Sequence, residues 1–294
     1  MNLLNYSQVR KLILMAIEED IGHGDITTES IIGSHVSSTA HLITKEEIVL
    51  AGLEIFSQVF FIIDNSIKIE NYCKDGDLLG SSNILSNISG HARSLLVSER
   101  VALNFLQRLS GIATITRKYV EAVKGYNVSI VDTRKTTPGW RILEKYAVRV
   151  GGGKNHRHDL GDGVLIKDNH IISAGGITRA VEMARRYSHH LLKIEIEIES
   201  LDQIEEALKS EVDVIMLDNM TPEMLQEGVK KIDGRALIEA SGGVSLESVV
   251  DVARTGVNLI SVGKLTHSAP SVDIHLEFDP PIQVSAPSAQ GGSR

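Results

Sequence analysis

Residues 192–219 read LKIEIEIESLDQIEEALKSEVDVIMLDN, two short β-branched runs separated by a helix-like segment. Strand-length apolar runs joined by helices belong to βα units, whose strands pair in parallel. The same pattern extends on both sides: VSIVD (128–132) and GVLIKD (163–168) come before, ALIEA (236–240) and NLISVG (258–263) after. Six such units make an α/β fold, either a barrel or a doubly wound sheet.

The chain before residue 110 is less regular. A helix is expected near Ser7 to Glu19, then the strand-like TAHLITKEEIVLAG (39–52) and a short apolar helix from Leu53 to Ile63. IKIENYC (67–73), the turn KDGDLLG (74–80) and ILSNISG (84–90) follow, and a long helix from His91 to Leu109 closes the section. Strands and helices in this order read as a small sandwich. The segment EFDPPIQVSAPSAQGGSR (277–294) is rich in Pro, Ser and Gly and is expected to be loose at its end.

Charge gathers where the parallel runs stop. The first leads into Asp132, Thr133, Arg134 and Lys135, and the second ends in Lys167, Asp168 and Asn169. The third carries Glu195, Glu197 and Glu199, and the fourth stops at Asp218 and Asn219. The last two open into Ser241-Gly242-Gly243 and Val262-Gly263-Lys264. In (β/α) barrels these carboxyl ends converge on the face that holds the active site. From Asp132 to His170 there are eight Lys or Arg against five Asp or Glu, although the whole chain has 30 basic and 38 acidic residues. That local excess points to an anionic ligand.

Composition narrows the class. With 294 residues, 42% of them hydrophobic, the chain can bury a sizeable core. A net charge of -8 argues against a general nucleic-acid binder. Nowhere do 18 apolar residues run together, no signal-peptide cleavage pattern follows the N-terminal apolar run, and there is one cysteine, Cys73. A cytoplasmic protein with a structural thiol, off the membrane, is expected.

Several features admit a plain reading beside the functional one. Gly151, Gly152 and Gly153 follow the helix-like WRILEKYAVRV and suit a C-cap. His156 and Arg157 lie in a loop that either meets an anion or is merely solvated. Ser241-Gly242-Gly243 either cradles a phosphate ahead of a helix capped by Ser245, or is a turn that demands glycine. The glutamates at 195, 197 and 199 share one strand face, which is either outside and solvated or inside and in need of cations. If that face is inside, Glu197 and Asp218 place two carboxylates at one mouth, a set suited to Mg2+ with substrate phosphates; no Cys/His cluster suits zinc. Lys167 at a strand end also admits a Schiff-base aldolase, and a non-catalytic anion sensor is a third class.

The stretches DTRKTTPGWRILEKYAVRVGGGKNHRHDL (132–160), LIKDNH (165–170), IEIE with LDNM, EASGGV (239–244) and SVGKLTHS (261–268) together resemble the quinolinate phosphoribosyltransferases. EEDIGHGDITT (18–28) and SERVALNFLQRLSGIAT (98–114) extend the likeness over about residues 15 to 270. The resemblance implies an N-terminal α/β sandwich beside an incomplete, open α/β barrel of TIM-like type. Expected bounds are 1–110, joined by 270–284, for the sandwich, 111–269 for the barrel, and 285–294 for a loose tail. It further implies transfer of phosphoribose from 5-phosphoribosyl 1-pyrophosphate to quinolinate with decarboxylation, within NAD biosynthesis, by a homodimer or higher assembly with shared sites.

By the same resemblance, Arg134, Arg157 and Lys167 bind the quinolinate carboxylates, with Thr133, Lys135 and His156 lining the pocket. Arg100 reaches the site from the partner subunit. Glu197 and Asp218 lie near Mg2+ and the ribose hydroxyls, and Ser241-Gly242-Gly243 with Val262-Gly263-Lys264 hold the ribose phosphate. Lys135, Lys167, Glu197 and Asp218 form the catalytic set.

Overall fold

The computed structural model describes residues 3–279. The chain forms two compact units. Among the described residues one takes 3–48, Gly52–Gln107 and 272–279; the other takes Val49–Ala51 and Arg108–Ser271. The expected tail at 285–294 lies outside the described residues.

In chain order the first unit begins with α1 (Ser7–Ile21), α2 (Ile26–Ile31) and β1 (Ser37–Thr44). Then come β2 (Ile48–Val49), α3 (Leu53–Ile63), β3 (Lys68–Asn71), β4 (Leu78–Leu79), β5 (Ile84–His91) and α4 (Ala92–Ala122); Val49 and α4 from Arg108 onward are counted with the second unit. Helix α1 buries Val9, Ile13 and Ile17, four residues apart on one face, and leaves Met15 outside.

Helix α4 runs 31 residues, well past the Leu109 at which it was expected to stop. Gly111, two residues past that point, stays helical. A Cβ there would meet the Pro270 carbonyl oxygen at 2.0 Å, so glycine serves close approach rather than termination. Buried Ile112, Thr116, Tyr119 and Val123 continue the apolar stripe beyond it.

The second unit alternates strand and helix: β6 (Ser129–Val131), α5 (Arg141–Val150), β7 (Val164–Ile166), α6 (Asp168–Ala174), α7 (Ile177–Tyr187) and β8 (Ile194–Ile198). It continues with α8 (Ile204–Lys209), β9 (Val214–Asp218), α9 (Pro222–Ile232), β10 (Leu237–Ser241), α10 (Val249–Arg254), β11 (Leu259–Ser261) and α11 (Lys264–His267). The chain then returns to the first unit as β12 (Ile274–Phe278). There β12, β1, β5 and β3 form an antiparallel sheet in that order.

The six parallel strands are ordered β6-β11-β10-β9-β8-β7. Strands consecutive in sequence pair from β7 to β11, and β11 turns back onto β6. Among the described residues β6 and β7 are not paired, which leaves the barrel open between its first two strands.

Packing decides which face of IEIEI points where. Ile194, Ile196 and Ile198 are buried, and helix α7 packs against this strand. Each such isoleucine contributes about 1.5–3 kcal/mol by leaving water. The glutamates on the alternate face are therefore turned into the barrel. Register places Glu197 beside Met216 on β9, Met216 beside Glu239 on β10, and Asp218 beside Ser241.

Candidate active site

The strand ends enclose a cavity of about 320 Å3 lined by Thr133, Arg134, Lys135, His156, Arg157, Leu165, Lys167, Glu197, Met216, Asp218, Glu239, Ser241 and Ser261. The second unit alone supplies this lining.

Buried ion pairs hold the loops in place. The Lys145 ammonium on α5 donates to Asp132 Oδ1 at the end of β6, and both side chains are buried. Asp132 also accepts the His156 amide N–H at 2.9 Å and the Asn155 side-chain amide at 2.6 Å. Burial raises the Asp132 pKa and lowers that of Lys145, and their mutual attraction opposes both shifts without cancelling them. Glu144, fully buried, accepts from the Thr137 amide at 3.0 Å, the Thr137 hydroxyl at 2.8 Å and Arg108 at 3.0 Å. Thr266 donates to the Lys135 carbonyl at 2.7 Å, which ties the loop after β6 to α11. The cations of DTRK thus sit on a braced loop.

Four cations face the cavity. Arg157 donates to the Gly163 carbonyl at 2.9 Å, while its buried Nε has no partner in the protein. Burial lowers the Arg157 pKa, and the neighbouring Arg134 lowers it further. Two guanidiniums this close favour a ligand with more than one negative charge. The Lys167 ammonium is paired with Glu197 across β7 and β8. Asp218 accepts from the amide of Asn219.

Below this ring lies a second layer. His156 Nε2 is 2.9 Å from Glu195 Oε2 and 3.8 Å from Glu239 Oε1. Its Nδ1 accepts the Arg157 amide N–H at 2.7 Å, which places the ring proton on Nε2, directed at Glu195. Burial lowers the His156 pKa, and the two glutamates raise it by more. Glu239 is 1% exposed, and burial, then Glu195, pushes its carboxyl up to about 8, with His156 opposing. The three ligand atoms lie within 4.8 Å of one another, a spacing that suits a metal. The proton on Nε2, however, removes the lone pair that a metal requires.

The remaining predicted residues fall in three places. Ser241 lines the cavity, whereas Gly242 packs against Asn219: a Cβ there would lie 2.7 Å from the Asn219 nitrogen, and φ is +98°. Gly243, with φ of +62°, has open space where a side chain would be. The helix that follows begins at Val249 with Ser248 as its cap, not at the expected Ser245. Ser245 instead accepts the Ser248 and Val249 amides in a preceding turn. Val262 is buried, Gly263 approaches Lys135, and Lys264 is exposed at the start of α11. Arg100 is exposed on α4 and does not line the cavity.

The triple glycine acts as a cap: Gly151 donates to the Ala147 carbonyl, and a Cβ on it would meet the Ala113 oxygen at 2.5 Å. Cys73 is half-buried, and burial pushes its thiol up to about 11. Sequence reading missed Glu144, Lys145 and Glu239. A glutamate inside the apolar run ALIEA was the one available signal, because it shares its strand face with Ser241.

Other cavities lie in this unit, and two of them adjoin the strands of the sheet. One of about 550 Å3, beside β7, α6 and α7, is lined largely by apolar residues such as Leu160, Met183 and Tyr187, without converging charges. The other, about 390 Å3, shares His156, Arg157 and Glu239 with the charged cavity and includes Lys193 and Val214 at the strand starts. No described helix is long and apolar enough to cross a membrane.

Residues 25–110 match the N-terminal domain model of quinolinate phosphoribosyl transferase, and residues 112–277 match its C-terminal domain model. A probable carboxylating nicotinate-nucleotide pyrophosphorylase of Bacillus subtilis is 45% identical over 93% of this chain and 94% of its own. A mitochondrial decarboxylating quinolinate phosphoribosyltransferase of Nicotiana tabacum is 40% identical over 92% of this chain and 82% of its own. The crystal structure of NadC from Streptococcus pyogenes superposes with a TM-score of 0.89 at 43% identity, covering 93% of this chain and 98% of that one.

Proposed function

Because this chain belongs to the quinolinate phosphoribosyltransferase family, we propose that it converts quinolinate and 5-phosphoribosyl 1-pyrophosphate into nicotinate mononucleotide, carbon dioxide and pyrophosphate. The reaction serves de novo NAD biosynthesis. One observation carries the reading: Arg134, Lys135, Arg157 and Lys167 line a single cavity with Glu197 and Asp218.

The cations hold the two carboxylates of the pyridine and fix the ring nitrogen toward the sugar. Arg157, whose Nε lacks a protein partner, has a donor to spare for this purpose. Positioning of this kind turns a bimolecular encounter into an oriented one. As pyrophosphate departs, the anomeric carbon gains positive charge, which Glu197 and Asp218 favour. The pyridine nitrogen attacks that carbon. Once quaternised, it withdraws electrons from the adjacent carboxylate, which leaves as carbon dioxide.

Glu197 and Asp218 fit Mg2+: they are two carboxylates from neighbouring strands that line one cavity, with Asp218 in register with Ser241. When bound, the ion supplies positive charge for the pyrophosphate. The turns at Ser241-Gly242-Gly243 and Val262-Gly263-Lys264 are assigned to the ribose phosphate. Arg100, exposed and remote in sequence from the lining, is assigned to the site of a partner subunit in a homodimer. A cytoplasmic location completes the reading, with small-molecule substrates and neither nucleic acid nor membrane.

The test is carbon dioxide release from quinolinate, with and without the ribosyl donor. Release that requires the donor and Mg2+ is expected. Binding of quinolinate without release would point to an anion sensor and would remove the catalytic reading.

A further inference from the structure

The reaction leaves one atom without a source. When carbon dioxide departs, the bonding electron pair stays on the ring carbon beside the quaternised nitrogen, and that carbon must gain a proton. The cations at the mouth are poor donors, because their positive charge is what holds the substrate. Glu197 is ion-paired with Lys167, and Asp218 accepts from Asn219. One carboxyl of the lining remains.

Glu239 projects from β10 on the same face as Ser241, two residues before the Ser241–Asp218 pair. It is 1% exposed, and its Oε1 has no hydrogen-bond partner in the protein. Glu195 of β8, also buried, likewise has one oxygen without a partner. Two carboxylates facing each other away from water cannot both ionise at neutral pH, so the pair retains a proton. His156 already directs its ring proton at Glu195, which leaves Glu239 as the group that stays protonated. Burial and the Glu195 charge act in the same direction, raising its pKa to about 8. A donor is most effective when its pKa lies near the working pH.

Glu239 also borders both cavities. One is the charged cavity at the strand ends, and the other opens among residues of the strand starts, where Lys193 and Val214 contribute. A proton spent on one side can be replaced from water on the other, directly or by way of Glu195, since both carboxyls line that second cavity. This two-sided placement separates proton supply from the mouth that the substrates fill.

We propose that Glu239 is the acid that protonates the ring carbon after decarboxylation, and that it is recharged through the second cavity. The inference rests on the quinolinate reaction proposed above. In balance, the carbon–carbon bond to the leaving carboxylate breaks, carbon dioxide departs, and the electron pair stays on the ring carbon. The Glu239 O–H bond then breaks as a C–H bond forms. Glu239 becomes a carboxylate and regains a proton from water. The groups facing it are Glu195 from β8, His156 from the loop before β7, Ser261 from β11 and Met216 from β9, with Lys145 beyond His156.

The test uses the full-length enzyme. Glu239→Gln keeps the shape and removes the proton. It should lower kcat about 100-fold or more while leaving the KM for quinolinate within about twofold, a split that merely structural damage would not give. The basic limb of the wild-type kcat–pH profile should vanish in it, and Glu239→Asp should recover part of kcat. Infrared spectra of wild-type protein should show a protonated-carboxyl band that titrates near the raised value and is missing from Glu239→Gln. Wild-type kcat and pH profile in a folded Glu239→Gln would overturn the proposal. So would a wild-type protein without that band at pH 7. If Glu239→Gln does not fold, the wild-type infrared titration and Glu239→Asp decide alone. Lack of carbon dioxide release by wild-type enzyme would instead sink the parent reading and this one with it, whatever the infrared band shows.

Discussion

Lys145 and Asp132 stand 13 residues apart in sequence and form an ion pair with no more than 2% of either side chain exposed. Asp132 belongs to the end of a strand and Lys145 to the helix after it. Together they clamp the amide of His156 and the side chain of Asn155. The loop that carries His156 and Arg157 is therefore set by a buried charge pair rather than by its own sequence. Removing one partner leaves the other charged and buried, which costs about 3–5 kcal/mol. Lys145→Met should lower unfolding free energy by about that amount, read from urea denaturation. Asp132→Asn combined with Lys145→Met should be less damaging than the sum of the single changes.

Lys167→Ala should leave the fold intact and reduce kcat/KM by about 100-fold or more, since even one hydrogen bond to a charged group is worth up to ~3 kcal/mol. It also strips Glu197 of its partner. Circular dichroism with steady-state kinetics checks both points, and unchanged turnover would take Lys167 out of the site.

Glu197→Gln and Asp218→Asn should weaken the ribosyl donor and Mg2+ far more than quinolinate. Calorimetry with each ligand separates the effects. Loss of quinolinate binding with donor binding intact would reverse the assignment.

The raised Glu239 pKa makes a stability prediction independent of activity. Between the ordinary value of 4.5 and about 8 the folded protein holds this proton more tightly than the unfolded chain does. Stability from this group is highest below the lower value and falls as pH rises, by about 1.4 kcal/mol per pH unit, until the upper value is passed. Urea midpoints at pH 5, 6.5 and 8 should decline in the wild type. In Glu239→Gln that part of the decline should disappear.

Arg100 offers a test of shared sites. Homodimers of Arg100→Ala and of Lys167→Ala should each be nearly inactive. With random exchange about half the dimers are mixed, and each mixed dimer has one site carrying both defects and one carrying neither. Roughly a quarter of wild-type activity should therefore return after mixing, with exchange followed by native mass spectrometry. Confirmed exchange without recovery would keep Arg100 out of its partner's site.

The alternation of apolar runs with helices was legible as βα units, and so was the convergence of Arg134, Lys167, Glu197 and Asp218 at their ends, because strand periodicity and strand direction are local properties. The extent of α4 beyond Leu109 was not, since what packs on its second half, such as Pro270 against Gly111, comes from far along the chain. The inward face of IEIEI was likewise open. A period of two defines two faces, and only the packing of Ile194, Ile196 and Ile198 beside α7 settles which one turns inward. The pairing of His156 with Glu195 spans 39 residues, and Glu239 joins them from another strand. Electrostatic pressure on a buried carboxyl depends on which charges are brought within a few ångströms of it, a distance that sequence order does not encode and that only the folded barrel decides.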